Sequence, residues 1–279
     1  MPLDSTFTNF FVAAVLIFGQ ALYFNFLCSK YKLIAQTNFL PALSYILISS
    51  VFTAWFFLSP AMLCNFVLLI LIDQIFSVYK KEKAADIIFN IGFTLGTAFL
   101  FYQQAVVFLF FIFIALIILR PFYLREWILM FTGTFVLVFL CGVYFYWNDE
   151  LPIFLKNFSV HVYLPSLPAE ERRTEYILKA SFFALIFLIS IFKINEQFRK
   201  AVVQTRNYFT TFIWFFISGL PIVFLGPQFD LQSFFWLVIP LSFGLCFWFT
   251  EVRRIALAEF LHLSLLLCIL WYQYSDKIF

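Results

Sequence analysis

Two acidic residues interrupt long apolar runs and are the first candidates for chemistry. Asp73 lies in LLILIDQIFSVYKK, seven residues before Lys80, and Glu259 lies in RRIALAEFLHLSLLL, five residues after Arg254. In a helix these separations place the carboxylates about 10 Å and about 8 Å from the basic ends of their runs. A charge at this depth is costly in lipid. Each carboxylate therefore either serves proton or substrate chemistry, or is paired near the membrane rim to fix helix packing.

Glu259 and His262 are three residues apart and share one face of a helix. Glu-x-x-His is half of the ligand set of di-iron helical bundles, and a complete site needs a second copy of it. The chain has only two histidines, His161 and His262. The sequence therefore predicts no metal site and no cofactor. Because it also lacks GxSxG and GxxxxGK[ST], it gives no indication of a serine hydrolase or of an ATP-binding loop.

The polar segment 148–175 holds further carboxylates and cations close together in sequence. Asp149 and Glu150 could act as a general base on an acceptor hydroxyl, and Arg172 and Arg173 could hold a phosphate or a lipid head group. The alternative interpretation is a solvated loop of mixed charge that caps a helical bundle. Both interpretations stay open at the level of the sequence.

The composition indicates which elements must position these groups. Of 279 residues, 64% are hydrophobic and only 12% are charged, against roughly 45–50% and ~25% in soluble domains. Runs such as Val106–Leu119 are apolar at nearly every position. The strands of a membrane barrel would alternate apolar and polar residues instead. The sequence therefore predicts an all-α, polytopic transmembrane helix bundle that forms a single domain over residues 1–279.

About ten apolar segments approach the ~20 residues that a membrane-spanning helix needs. The segments are 7–28, 40–58, 60–79, 86–102, 104–119, 126–147, 176–193, 208–226, 231–250 and 255–273. The fourth and fifth are separated at Tyr102-Gln103-Gln104, where we expect a tight hairpin. The N-terminal MPLDST lacks the basic region of a signal peptide. We therefore expect the first apolar run to be a retained span.

The distribution of basic residues predicts the orientation of this bundle. With ten spans, thirteen of the 18 Lys and Arg residues fall in alternate loops on one side, which the positive-inside rule assigns to the cytoplasm. They are Lys30, Lys32, Lys80, Lys81, Lys83, Arg120, Arg125, Lys193, Arg199, Lys200, Arg206, Arg253 and Arg254. Both termini and the loop 148–175 then lie outside. We expect a short interfacial helix over Pro152–Phe158 in that loop.

Gly92 and Gly96 form a G-x-x-x-G pattern in NIGFTLGTAFLFY. Small residues at this spacing let two helix backbones approach closely in a membrane. The pattern predicts a helix-packing surface, either inside the bundle or between two copies of the chain.

Four stretches of the sequence resemble an uncharacterised family of bacterial multi-pass inner-membrane proteins. They are GQALYFNFLCSKYKL, LPALSYILISSVF, FNIGFTLGTAFLFY and RPFYLREW, all in the first half of the chain. The resemblance implies a helical inner-membrane protein and supplies no reaction or site residue.

The order of elements from FNIGFTLGTAFL to RPFYLREW is also similar to the membrane half of lipid-linked sugar transferases of the GT-C type. That resemblance implies an acidic catalytic residue on the outer face, near the first outer loop. Asp4 is the residue that fits this place, with Asp149 and Glu150 as substitutes in the long loop.

Taken together, these features favour a non-enzymatic structural or accessory component of envelope assembly in the inner membrane. A GT-C-like polyprenyl-linked sugar transferase and a transporter are the alternatives. The expected partners are the lipid bilayer, other membrane proteins or a polyprenyl lipid. Nucleic acid is not expected, because the net charge is only +3 and no basic stripe stands apart from the loops.

Overall fold

A computed structural model describes most of the first 157 residues and parts of the remainder. The described residues are 3–34, 38–121, 123–157, 202–225, 231–251, 259, 262–264, 266–267 and 269–270. Every regular element within them is helical. The prediction of an all-helical protein is confirmed for this part of the chain.

Nine α-helices and four short 3-10 helices have both of their ends in these ranges. The α-helices are α1 (Leu3–Lys30), α2 (Leu40–Ser49), α3 (Pro60–Ser77), α4 (Ala85–Phe101), α5 (Phe108–Leu119), α6 (Leu124–Trp147), α7 (Leu151–Asn157), α8 (Val203–Gly219) and α9 (Val238–Glu251). The 3-10 helices are Thr53–Phe56, Gln103–Val107, Leu220–Phe224 and Leu231–Leu237. The helix expected within 148–175 is present as α7.

Four of the described helices are long and apolar enough to cross a membrane. They are Phe7–Lys30, Pro60–Ser77, Leu124–Trp147 and Gln232–Thr250. Shorter apolar helices cover Leu40–Ser49, Ala85–Phe101 and Gln103–Leu119. The predicted span 176–193 lies outside the described residues, and 255–273 lies outside them for the most part.

The predicted span 40–58 is not one continuous helix. Helix α2 ends at Ser49, and the chain is extended at Phe52 before the 3-10 turn Thr53–Phe56. The hydroxyls of Ser49 and Ser50 donate to main-chain carbonyls three residues earlier, at 3.0 and 2.9 Å. Such local bonds offer the backbone an alternative to continuing the helix. Apolar composition alone did not indicate this break.

Two other interruptions follow from local chemistry. Helix α4 ends at Phe101, so the predicted break at Tyr102-Gln103-Gln104 is confirmed, and the Tyr102 hydroxyl donates to Oε1 of Gln104. In the span Gln232–Thr250 a 3-10 segment precedes α9, and Pro240 is the third residue of α9. Proline is tolerated in a first turn because its missing N–H has no partner to lose there.

The backbone contacts divide the chain into two compact units, which we describe separately. Unit 1 contains the described residues up to 59, from 202 to 209 and from 234 onward. Buried polar groups link its helices. The Tyr45 hydroxyl of α2 donates to Oε1 of Gln20 on α1 at 2.7 Å. The Ser44 hydroxyl lies 3.0 Å from the carbonyl oxygen of Ser242 on α9.

Unit 2 contains the described residues of 60–157 and 210–233. Helix α4 packs between α3 and α6. Gly92 lies against Met130 and Gly96 lies against Thr134, so residue numbers rise together along the contact. Helices α4 and α6 are therefore parallel, and their N-terminal ends lie at the same end of the unit.

Candidate functional site

The end of unit 2 where α4 and α6 begin contains a cleft of about 790 Å³. The turn after α3 forms one side of it, and the connection from α5 to α6 forms the other. The lining residues are Lys80, Lys81, Glu82, Lys83, Ala84, Ala85, Leu119, Arg120, Pro121, Tyr123, Arg125, Glu126 and Leu129. Five of these side chains are basic and two are acidic, which gives the described lining a net charge of +3.

Arg120 is the most deeply placed cation of the cleft. Its Nη2 lies 2.8 Å from Oε1 of Glu126, and the two side chains are 7% and 16% exposed. The buried Nη1 of the same guanidinium has no hydrogen-bond partner among the described residues. An unsatisfied donor on a buried charged group is costly, so it calls for a physical reason.

Local backbone geometry explains how Arg120 and Glu126 meet. Arg120 follows the last residue of α5 in an extended conformation, and its N–H donates to the carbonyl of Leu116 at 3.0 Å. Glu126 lies in the first turn of α6, where its N–H donates to the carbonyl of Tyr123 at 3.0 Å. A carboxylate in a first turn is favoured by the helix dipole, and here it also holds the end of α5 to the start of α6.

The remaining cations of the cleft are exposed. Lys80, Lys81 and Lys83 occupy the turn between α3 and α4, and Arg125 lies at the start of α6. Lys80 has a φ of 57°, in the left-handed region where the chain turns back after α3. The N-terminal ends of α4 and α6 both contribute to the lining. Their free N–H groups carry partial positive charge, so they add to the attraction for an anion.

Asp73 lies on α3, five residues before the turn that begins at Val78, and its side chain is half-buried. It takes part in an interaction and is not a free carboxylate. The next residue, Gln74, accepts a hydrogen bond from the Thr94 hydroxyl at 3.0 Å, which links α3 to α4. These contacts agree with a packing role for this part of α3, and the alternative role in proton chemistry stays a prediction.

Glu259 and His262 are both in helical conformation, in a segment that the structure describes only in part. Glu259 is exposed. The His262 ring is half-buried and lies 5.9 Å from the Phe249 ring at an angle of 69°. Among the described residues, no three His, Cys, Asp or Glu side chains form a cluster that could hold a metal ion.

Asp149 and Glu150 end α6 through a Schellman motif. The Glu150 N–H donates to the carbonyl of Phe145 at 2.9 Å, and the Asp149 N–H donates to that of Tyr146 at 3.2 Å. Asp149 itself has a φ of 58°, the left-handed conformation that this motif requires. Both residues are exposed. The backbones of both residues therefore end α6, a role that the sequence did not indicate.

The remaining candidate residues are Asp4, Arg172 and Arg173. Asp4 is the second residue of α1, before the start of the candidate span Phe7–Lys30. Arg172 and Arg173 lie outside the described residues, so their relation to Asp149 and Glu150 stays untested.

Gly92 and Gly96 lie on the surface of α4 that meets α6. A Cβ on Gly92 would overlap the carbonyl group of Met130, and one on Gly96 would lie 3.2 Å from the carbonyl oxygen of Thr134. Gly133 of α6 is their counterpart, because a Cβ there would overlap the carbonyl of Phe89 on α4. Three glycines thus form a seam of direct backbone contact, which we call the glycine seam.

No family model, curated protein or solved structure matches the chain. Both family resemblances of the sequence therefore stay predictions.

The distribution of charges in the sequence predicts that the cations of the cleft lie in loops on one side of the membrane, but it does not indicate that they form one site. Glu126 was not among the predicted site residues. The signal was present in RPFYLREW, where Arg and Glu stand six residues apart across a proline. The turn between α5 and α6 brings these two side chains together.

Proposed function

We propose that this chain is a multi-pass inner-membrane protein that serves as a non-enzymatic structural or accessory component of envelope assembly. About ten spans, with both termini outside, remain the topology we favour. The cleft supports this topology, because it brings the basic turns 80–83 and 120–125 to the same end of unit 2. The alternation of basic loops predicts this shared end.

The observation that carries the proposal is the separation of charges along α6. The basic cleft lies at its N-terminal end, and Asp149 and Glu150 follow its C-terminal end. A helix of 24 residues is about 36 Å long at 1.5 Å per residue. A general base and a phosphate-binding cation must both reach one reacting group, within about 3 Å of the atoms they contact. Asp149 and Glu150 therefore cannot act together with the cations of the cleft.

The polyprenyl-linked sugar transferase is the alternative, and it requires the outer loop to supply its own cations. Substitution distinguishes the two functions in a strain whose envelope glycans depend on this protein. Under our proposal, Asp149→Asn and Glu150→Gln leave the glycans unchanged at equal protein level. Loss of the glycans at normal protein level would assign catalysis to the outer loop.

The topology is tested by cysteine labelling in intact cells with a membrane-impermeant maleimide. In a background from which the five native cysteines have been removed, we expect Ser166→Cys to react from outside and Glu82→Cys to react only after the membrane is opened. Glu82 is exposed at the cleft, so a failure to react in intact cells cannot be attributed to burial. The reverse pattern would invert the orientation.

A further inference from the structure

The cleft of unit 2 has three properties that point to one class of ligand. It carries an excess of positive charge, it contains a buried cation with an unsatisfied donor, and it receives the N-terminal ends of two helices. Each property favours an anion independently of the others. A solvated loop explains the exposed lysines but leaves the buried Nη1 of Arg120 without a partner.

The position of the cleft along the helices adds a constraint. Its first side follows directly after the candidate span Pro60–Ser77, and its second side comes directly before the candidate span Leu124–Trp147. Both spans end at the cleft, so it lies at a boundary between membrane and water. Lipid phosphates are found at this level, and basic pockets between membrane helices are known to bind them.

The lining is also mixed in character. Leu119, Pro121 and Leu129 contribute apolar surface beside the cations. From the cleft onward, Leu124 and Ile128 are exposed along the outer face of α6, at 67% and 58%. Inorganic phosphate has no apolar atoms to bury against this surface, whereas the glycerol and acyl chains of a lipid can pack against it.

We propose that this cleft binds the phosphate group of an anionic phospholipid. Nη1 of Arg120 donates to one phosphate oxygen, and the charge of the exposed lysines and Arg125 holds the head group in place. Nη2 stays paired with Glu126, which fixes the orientation of the guanidinium. The volume of about 790 Å³ accommodates a head group, since small-molecule sites commonly measure ~300–1,000 Å³. This inference does not depend on the proposed accessory function.

Lipid binding to the purified full chain, measured by native mass spectrometry, tests the inference. Phosphatidylglycerol is titrated against phosphatidylcholine of the same acyl chains, and we expect saturable binding of the first with a preference over the second. Arg120→Gln should weaken phosphatidylglycerol binding at least about tenfold, as expected for loss of a charge-assisted hydrogen bond. Glu126→Gln should strengthen it, because the change removes a negative charge from the cleft while the amide oxygen can still accept from Nη2 and keep the guanidinium oriented.

The matched control is Lys32→Gln, which removes one exposed charge next to a helix end in unit 1, outside the cleft. It should leave the affinity unchanged. If Arg120→Gln fails to fold, the double variant Lys81→Gln/Lys83→Gln decides, since both side chains are exposed. Basic residues near a lipid surface attract anionic lipid, so this variant should bind roughly tenfold or more weakly.

A further measurement distinguishes a lipid phosphate from free inorganic phosphate as the ligand. Inorganic phosphate is added to protein that carries phosphatidylglycerol. No displacement at millimolar phosphate supports the lipid, whereas displacement would assign the site to a soluble phosphate and overturn the lipid part of the proposal. Equal loss of binding in Lys32→Gln and the cleft variants, or no preference for phosphatidylglycerol, would overturn the site itself.

Discussion

Replacing Gly133 by alanine should loosen the contact between α4 and α6. A Cβ at this position overlaps the carbonyl of Phe89 and lies 3.0 Å from the main-chain nitrogen of Phe93. Both obstacles are backbone atoms of a regular helix, so neither can rotate away as a side chain would. The two helices must separate for the methyl group to fit.

Three terms give the size of the effect. Alanine in a helix interior is favoured over glycine by ~1 kcal/mol, which opposes the damage. Overpacking of a close contact typically costs ~1–3 kcal/mol. Separation also weakens the hydrogen bond from the Thr134 hydroxyl to the carbonyl of Gly92, now 2.9 Å, which is worth ~0.5–1.5 kcal/mol. The net expectation is a loss of about 1–3 kcal/mol in the free energy of unfolding.

Gly142→Ala is the matched control on the same helix. The nearest atom to its added Cβ is Cε1 of Phe154 at 3.7 Å, an ordinary contact. We expect this variant to keep or gain stability by helix propensity alone. Thermal unfolding of the purified full chain in one detergent, followed by tryptophan fluorescence at a fixed scan rate, measures both. Gly133→Ala should lower the midpoint by roughly 2–10 °C. A midpoint raised as far as in Gly142→Ala would refute close backbone contact at the seam.

Two further changes test other described contacts by the same thermal assay. Tyr45→Phe removes the buried donor to Oε1 of Gln20 without changing the shape of the core, so it should cost ~1–2 kcal/mol; an unchanged midpoint would show that this bond does not stabilise unit 1. Asp149→Gly relieves the left-handed conformation at the end of α6 and should raise stability by up to ~1 kcal/mol. A loss of stability there would mean that the Asp149 side chain makes contacts that outweigh the strain.

The apolar runs of the sequence predicted helices well, because a segment without polar partners must satisfy its backbone internally. The polar group at Tyr102-Gln103-Gln104 likewise predicted the end of α4. The end of α2 at Ser49 was missed, because the hydropathy of the run hardly changes at the two serines where the helix ends. Hydropathy indicates whether a segment is surrounded by lipid or by water. It does not indicate where side-chain hydroxyls bond to the backbone.

The candidate site shows a different limit of sequence reasoning. Lys80–Lys83 and Arg120 were assigned to the same side of the membrane, since this needs only the count of spans between them. Their convergence on one cleft depends on α4 and α6 being parallel and in close contact. The G-x-x-x-G pattern indicated a packing surface on α4, but Gly133, the glycine opposite, belongs to no such pattern, because the next glycine of its helix is Gly142. Sequence spacing therefore could not reveal which helix fills the surface.

The parallel arrangement at the glycine seam also constrains the order in which unit 2 is assembled. Two consecutive helices can pair as a hairpin while the chain is being made, but α4 and α6 are separated by α5, which returns the chain to the starting end. The seam can form only after α6 has been inserted up to Gly133. Until then the small-residue groove of α4 faces lipid or another protein. We therefore expect α4 to complete its packing only together with α6, and the Arg120–Glu126 pair, in the connection before α6, to form at the same stage.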